Sequence, residues 1–141
     1  MLRRSRVLAS VLLAIVAFVA VAGCSSGAGS LDGTHWRLRE WTLNSLNPAD
    51  FTITAQFADG TISGSSGVNA YSGPVKLGPG AAFSAGPLAS TLMAGPEPAM
   101  RAESAYSTLL GQAKSFKRTT GTLTLYDSGG NESLVFEAAG K

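Results

Sequence analysis

The sequence predicts an α+β domain, a small antiparallel β-sheet with one α-helix packed against it, and three observations predict it. Apolar and polar residues alternate over several short runs, the two-residue period of a half-buried strand. Those runs follow one another across brief turns rich in Gly, Pro, Asp and Asn, and such short connections join antiparallel neighbours. A single stretch, opening at Pro96 and Pro98, repeats its apolar residues at three- and four-residue spacing instead.

The elements follow in order. Arg3, Arg4 and Arg6 precede an apolar run from Val7 to Ala22 broken only by Ser10. A run of roughly 15 apolar residues is short for a transmembrane helix, which needs about 20, and fits the hydrophobic core of a secretory signal. Residues 1–23 are therefore expected to be removed. The run closes on Val21-Ala22-Gly23-Cys24, which resembles the bacterial lipobox at all four positions: small residues admit the chain to a peptidase cleft, and the thiol beyond them is the group that takes a diacylglyceryl unit. Cys24 is the expected lipidation site, carrying an S-diacylglycerol and an N-palmitoyl chain. Residues 24–30 form a Ser/Gly/Ala tether, and the folded domain is expected over 31–141.

Within it, Thr34 to Leu43 places Trp36, Leu38 and Trp41 among Arg37, Arg39 and Glu40. Phe51, Ile53, Ala55 and Phe57 alternate cleanly with Thr52, Thr54 and Gln56, and Asp59-Gly60 then turns the chain into Thr61-Ile62-Ser63. Gly64 to Gly73 is Gly/Ser-rich, and Val75 to Leu77 and Ala82 to Leu88 read as short strands. The helix carries Met100, Ala102, Tyr106, Leu109, Leu110, Ala113 and Phe116 on one stripe, with Glu97 at its positive end and Lys114, Lys117 and Arg118 at its negative end. Thr122 to Tyr126 and Ser133 to Ala138 form a last hairpin around Asp127-Ser-Gly-Gly-Asn131.

Charge depends on the signal. The precursor is +2, from 11 basic and 9 acidic residues. Loss of the three signal arginines leaves 8 against 9, a net charge of −1, so the domain offers no basic footprint and nucleic acid is not an expected partner. The mature chain, 141 residues less 23, is 118 residues long, enough to bury a core without staples. No disulfide is available, since Cys24 is the only cysteine.

The order of five blocks is specific: Leu31-Asp-Gly-Thr-His-Trp36; Phe57-Ala-Asp-Gly-Thr-Ile-Ser-Gly64 leading into Ser65-Ser-Gly-Val-Asn-Ala-Tyr-Ser-Gly73; Leu88-Ala-Ser-Thr-Leu-Met-Ala-Gly-Pro96 before a helix with Glu103 and Tyr106; Thr122-Leu-Thr-Leu-Tyr-Asp127; and Leu134-Val-Phe136. From Leu31 to Ala138 the chain resembles the META domain, the HslJ-like family of small bacterial envelope and stress-associated proteins. The resemblance implies a barrel-like sheet with one helix, and no established chemistry. It also implies that Val68 and Gly95 stand where the family pattern has two cysteines that bond to each other. The two are then expected side by side, with Cα atoms within about 7 Å as a disulfide requires.

Candidate chemistry is sparse. Gly64 to Gly73 superficially looks like a phosphate cradle, but no Lys-Ser/Thr pair follows it, and its glycines and Asn69 are expected to serve a tight connection with left-handed backbone. His35 is the only histidine, with no clustered Cys or carboxylates, so no metal site and no general base is expected there. Ser65 and Ser66 lack an identifiable base. Glu103 matches the family's helix acid and is expected to bond backbone or a basic neighbour. Trp36 and Trp41 are expected as core or sheet anchors. No catalytic residue, metal or cofactor is implied, and no ligand-binding residue is assigned. The expectation is a non-enzymatic lipoprotein of the cell membrane, anchored on the exported side, that binds or supports another component in envelope maintenance or stress response. A carrier of an apolar ligand or lipid is the alternative, as is an inhibitor or chaperone-like partner of an envelope protein.

Overall fold

The computed structural model describes residues 30–140; the signal, Cys24 and the tether through Gly29 lie outside the described residues. Among the described residues there are nine strands and one α-helix: β1 Thr34–Trp41, β2 Thr54–Ala58, β3 Thr61–Ser65, β4 Ala70–Gly78, β5 Ala82–Ala85, β6 Ala89–Ser90, α1 Glu97–Gln112, β7 Ser115–Arg118, β8 Thr122–Tyr126 and β9 Glu132–Ala138. All pairings are antiparallel, in the order β3-β2-β1-β9-β8-β7-β5-β4, and β3 also pairs with β4. The sheet therefore closes into an eight-stranded barrel, which leaves no long free edge. β6 pairs with the start of β4, beside β5.

Local chemistry explains the main turns. Asp59 and Gly60 both have positive φ, 52° and 71°, the conformation a two-residue hairpin between right-twisted strands requires. At Gly64 a Cβ would sit 2.2 Å from the Thr54 carbonyl oxygen, so only glycine lets β3 pass that backbone.

The alternation read from Phe51 into β2 holds from Ile53 on: Ile53, Ala55 and Phe57 are buried with Trp36, Leu38, Ile62, Tyr71, Val75, Phe83, Leu123, Leu125, Leu134 and Phe136, while Phe51 is partly buried against them. Eight strands enclose a space just wide enough for side chains to fill. Phe83 makes edge-to-face contacts with Phe57 and Phe116 at 6.4 and 6.5 Å between centroids.

α1 plugs one end of the barrel. Tyr106 lies 5.5 Å from the Tyr71 ring on β4 and 6.4 Å from Phe136 on β9, edge-to-face in both cases. β4 and β9 are four strands apart in either direction around the ring, so a side chain touching both spans the mouth. Ala102, Tyr106, Leu109 and Leu110 form the buried stripe of the helix. At the other end, where the chain enters, Leu31 and Trp36 are buried and the Arg118 guanidinium stands 6.0 Å from the Trp36 ring.

Three expectations need correction. The helical stripe continues through Ala113 and Phe116 in sequence, but α1 ends at Gln112 and Ser115–Arg118 is a strand. Phe116 enters the core from β7, opposite Leu125, because the barrel closes only if a strand bridges β8 to β5. Lys114, Lys117 and Arg118 are thus not helix-end charges. The Gly/Ser-rich stretch is in large part strand, since β4 begins at Ala70, and the run Ala82 to Leu88 contains only the four-residue β5 before the chain bends to β6.

Candidate functional site

At the plugged end, three segments meet around Asn69. The β3–β4 connection contributes Ser66 to Asn69, the loop after β6 contributes Thr91 to Met93, and α1 contributes Glu103, one residue past buried Ala102 and one turn before Tyr106. Gly67, at φ 122°, lets the connection fold back so that the Ser66 amide donates to the Asn69 carbonyl at 2.9 Å.

Glu103 is held from several sides. Its Oε2 accepts from the Asn69 amide at 2.9 Å and lies 2.8 Å from Ser66 Oγ, while Oε1 accepts from Asn69 Nδ2 at 2.8 Å. The single Ser66 proton serves either this carboxylate or the Asn69 carbonyl, 3.0 Å away. Burial opposes ionisation of Glu103, but the donors of Asn69, Ser66 and the Val68 amide outweigh it and hold the carboxyl below its ordinary value. The Asn69 amide group is full. Nδ2 also donates to the Met93 carbonyl at 3.1 Å, and Oδ1 accepts from Thr91 Oγ1 and the Met93 amide, both at 2.7 Å. The side chain of Asn69 thereby fixes the loop that presents Leu92, 98% exposed, and Met93, 57% exposed.

Beneath this knot the Tyr71 and Tyr106 hydroxyls meet at 2.6 Å. Tyr71 donates to the Thr54 carbonyl at 2.8 Å, so Tyr106 is the donor to Tyr71. Burial pushes both phenols up, and they stay neutral.

The chemical capacity of the arrangement is limited. Ser66 touches a carboxylate, yet it is 1% exposed, and a nucleophile must meet its substrate. His35 sits on the half of β1 that pairs with the end of β2, at the opposite end of the barrel from Glu103. Among the described residues no three His, Cys, Asp or Glu side chains come together as metal ligands.

Other sequence-predicted positions are placed as follows. Val68 and Gly95 are in contact: a Cβ built on Gly95 falls 3.4 Å from the Val68 Cβ and 2.6 Å from its Cγ2. A disulfide spans Cβ atoms about 3.5–4.5 Å apart, so the pair occupies the geometry of a bridge with an isopropyl group facing a glycine. Trp36 is core, its indole N–H donating to Thr34 Oγ1 at 2.7 Å, and Trp41 is half-buried with its N–H on the Leu46 carbonyl at 2.9 Å. Asn69 is not left-handed; its side chain, and not its backbone freedom, is what the turn uses. Glu103 does bond backbone, but no basic neighbour pairs with it among the described residues. Sequence reasoning missed Thr91 and the Met93 backbone as partners of Asn69. Their only signal was a lone amide side chain closing a Gly/Ser run. Cys24, the predicted lipidation site, lies outside the described residues.

Solved structures with this fold are similar along most of the chain. An NMR structure of a protein from Burkholderia xenovorans is 29% identical, with a TM-score of 0.66 over 79% of this chain and 85% of that one. A second NMR structure, 21% identical, covers 76% of this chain and 90% of its own at a TM-score of 0.57. A crystal structure of a DUF4847 family protein from Bacteroides vulgatus, 14% identical, covers 76% and 93% at 0.56 and speaks to the fold alone. No curated protein matches the chain. The META domain family model matches residues 29–140, which includes everything the structure describes, and the chain belongs to the META domain family.

Proposed function

We propose that this protein is an exported lipoprotein, acylated at Cys24 and held at a membrane surface, whose META domain works without catalysis as a binding or structural module in envelope maintenance or stress response. The anchoring rests on Val21-Ala22-Gly23-Cys24 after a short apolar run with a basic start. Five residues separate Cys24 from Ser30, where the described domain starts, and the six steps of chain between them reach about 20 Å when fully extended. The domain would then stand close to the bilayer with its plugged end turned away. Two or more acyl chains hold a protein at a membrane without help from basic residues.

The single observation that carries the non-catalytic reading is the Glu103 knot. The one carboxylate the family resemblance marks out is occupied by donors of its own chain, and the adjoining serine is sealed from solvent. The filled barrel interior speaks against a carrier of apolar ligands. Leu92 and Met93, apolar and exposed on a loop fixed from within, favour the second reading, a protein partner in the envelope.

Labelling cells with an alkynyl fatty acid and fractionating them tests the anchor. The parent chain is expected to take the label and pellet with membranes, and Cys24→Ala to lose both. A parent chain that takes no label sinks the lipoprotein reading. A photo-crosslinker at position 92 in the native envelope tests the partner reading by what it captures.

A further inference from the structure

β1 and β9 each carry an irregularity near the plugged end. β1 slips by one residue against β9, with Leu38 opposite Phe136 and Glu40 opposite Val135, which leaves Arg39 as the extra residue. β9 slips against β8, with Leu125 opposite Leu134 and Tyr126 opposite Glu132, which leaves Ser133 extra. Bulges of this kind re-aim side chains and sharpen the local twist. Between them lies a cleft of about 170 Å³ lined by Glu40, Trp41, Thr42, Glu132, Ser133 and Val135.

Three side chains of this cleft, Ser133, Glu40 and Glu132, lack a polar partner among the described residues. Ser133 is 2% exposed, and its Oγ has no hydrogen-bond partner among the described residues, a costly state for a buried hydroxyl. Glu40 and Glu132 are both exposed at the rim and form no ion pair among the described residues; neighbouring Arg39 is taken by Glu137. Trp41 has its indole N–H fixed on the Leu46 carbonyl, which sets the ring while leaving it partly exposed.

We propose that this cleft binds an alkylammonium group. Glu40 and Glu132 supply the negative field, Trp41 and Val135 supply apolar wall for the stem and a ring face for the cation, and Ser133 Oγ accepts an ammonium N–H after rotation about its χ1. Two carboxylates without a third acidic or histidine ligand suit an organic cation better than a metal ion. The volume is well under the ~300 Å³ at which drug-sized pockets begin. It admits one side-chain-sized group. A free amine and a lysine side chain share this chemistry. The site is independent of how the domain is anchored.

The test is a tryptophan-fluorescence titration of the acylated protein in nanodiscs, where partly exposed Trp41 responds and buried Trp36 does not. The probes are 1,5-diaminopentane, Nα-acetyl-lysine methylamide and its uncharged counterpart Nα-acetyl-norleucine methylamide. Saturable millimolar binding of an ammonium probe is expected, and the tighter of the two identifies the source. The norleucine compound, and the lysine compound on Glu40→Gln/Glu132→Gln, are expected to bind about tenfold more weakly or worse. Ser133→Ala is expected to weaken binding severalfold with no loss of thermal stability, which a merely structural serine would not do. No saturation by either ammonium probe overturns the proposal, and so does equal affinity for lysine and norleucine compounds or for the parent and the double variant.

Discussion

Two polar regions share the plugged end of the barrel, and they are built on opposite terms. Around Asn69 every side-chain donor and acceptor has a partner, and a carboxylate is kept ionised by amides and a hydroxyl of its own chain. In the cleft between β1 and β9, a buried hydroxyl has none and two carboxylates stand unpaired among the described residues. Polar groups out of water are stabilising when fully matched and costly when not. The first region is therefore a joint, tying β3–β4, the β6–α1 loop and α1 to one another. The second is a place where stability has been left unclaimed, which is what a binding site requires before its ligand arrives.

The largest effect is expected from Asn69→Ala. It strands the Met93 amide and carbonyl and the Thr91 hydroxyl, and takes one donor from Glu103, for a loss of about 3 kcal/mol or more. Urea unfolding measures it, and hydrogen exchange at the Met93 amide should speed up beyond the global change. A loss below about 1 kcal/mol would mean that the joint is not one. Next comes Val68→Cys/Gly95→Cys, which lays a covalent bridge across the same joint. With the Cβ positions 3.4 Å apart, an oxidised pair should form and stabilise by about 2–4 kcal/mol, read as the difference in unfolding with and without reductant. If the thiols stay free under oxidant, the contact between the two positions is not held in solution.

Glu103→Gln is expected to cost less, about 1–3 kcal/mol at neutral pH, because the amide keeps an acceptor but loses the charge-assisted bonds. Its pH dependence carries the sharper information. The folded Glu103 carboxyl lies below its unfolded value, so the stability it contributes is fully present above the unfolded pKa, near 4.3, and drains away as pH falls through the lower folded value. The gap between parent and variant should therefore close in acid. A gap that stays constant down through that range would show that the charge of Glu103 is not what the donors hold.

The sequence made the joint partly legible and the cleft not at all. Alternation in β2 announced Ile53, Ala55 and Phe57 as core because a period of two is local and leaves its mark on neighbouring residues. The contact of Val68 with Gly95 was legible only through the family resemblance, since nothing in either residue points to the other. Phe116 misled, because its spacing from Leu109 and Ala113 is helical while barrel closure, a demand made by strands far away in sequence, pulls it into β7. Glu103 announced itself as an acid on a helix, but its partners, the Asn69 amides and the Ser66 hydroxyl, lie more than thirty residues away, and nothing in composition links them to it. The bulges that place Ser133 and Glu40 depend on the register between β1, β8 and β9, and register is fixed by pairing and not by the identity of the bulged residue.

The smallest expected effect is the one that best separates the two regions. Ser133→Ala removes a buried hydroxyl that bonds nothing among the described residues, so the protein gives up no hydrogen bond there and sheds a desolvation penalty. Its stability should change by no more than about 0.5 kcal/mol, or rise, and the change should not depend on pH. The same reaction in Ser66, a serine equally buried at the same end of the barrel, should be destabilising, because Ser66 Oγ stands on the Glu103 carboxylate at 2.8 Å. Measured side by side by thermal unfolding, two serine-to-alanine changes of equal size and burial should therefore part in sign or clearly in size. If Ser133→Ala costs as much as Ser66→Ala, the Ser133 hydroxyl has a partner in solution and the cleft is a second joint. If Ser133→Ala costs nothing while Ser66→Ala does, burial alone does not set the value of a hydroxyl in this barrel; what it touches does.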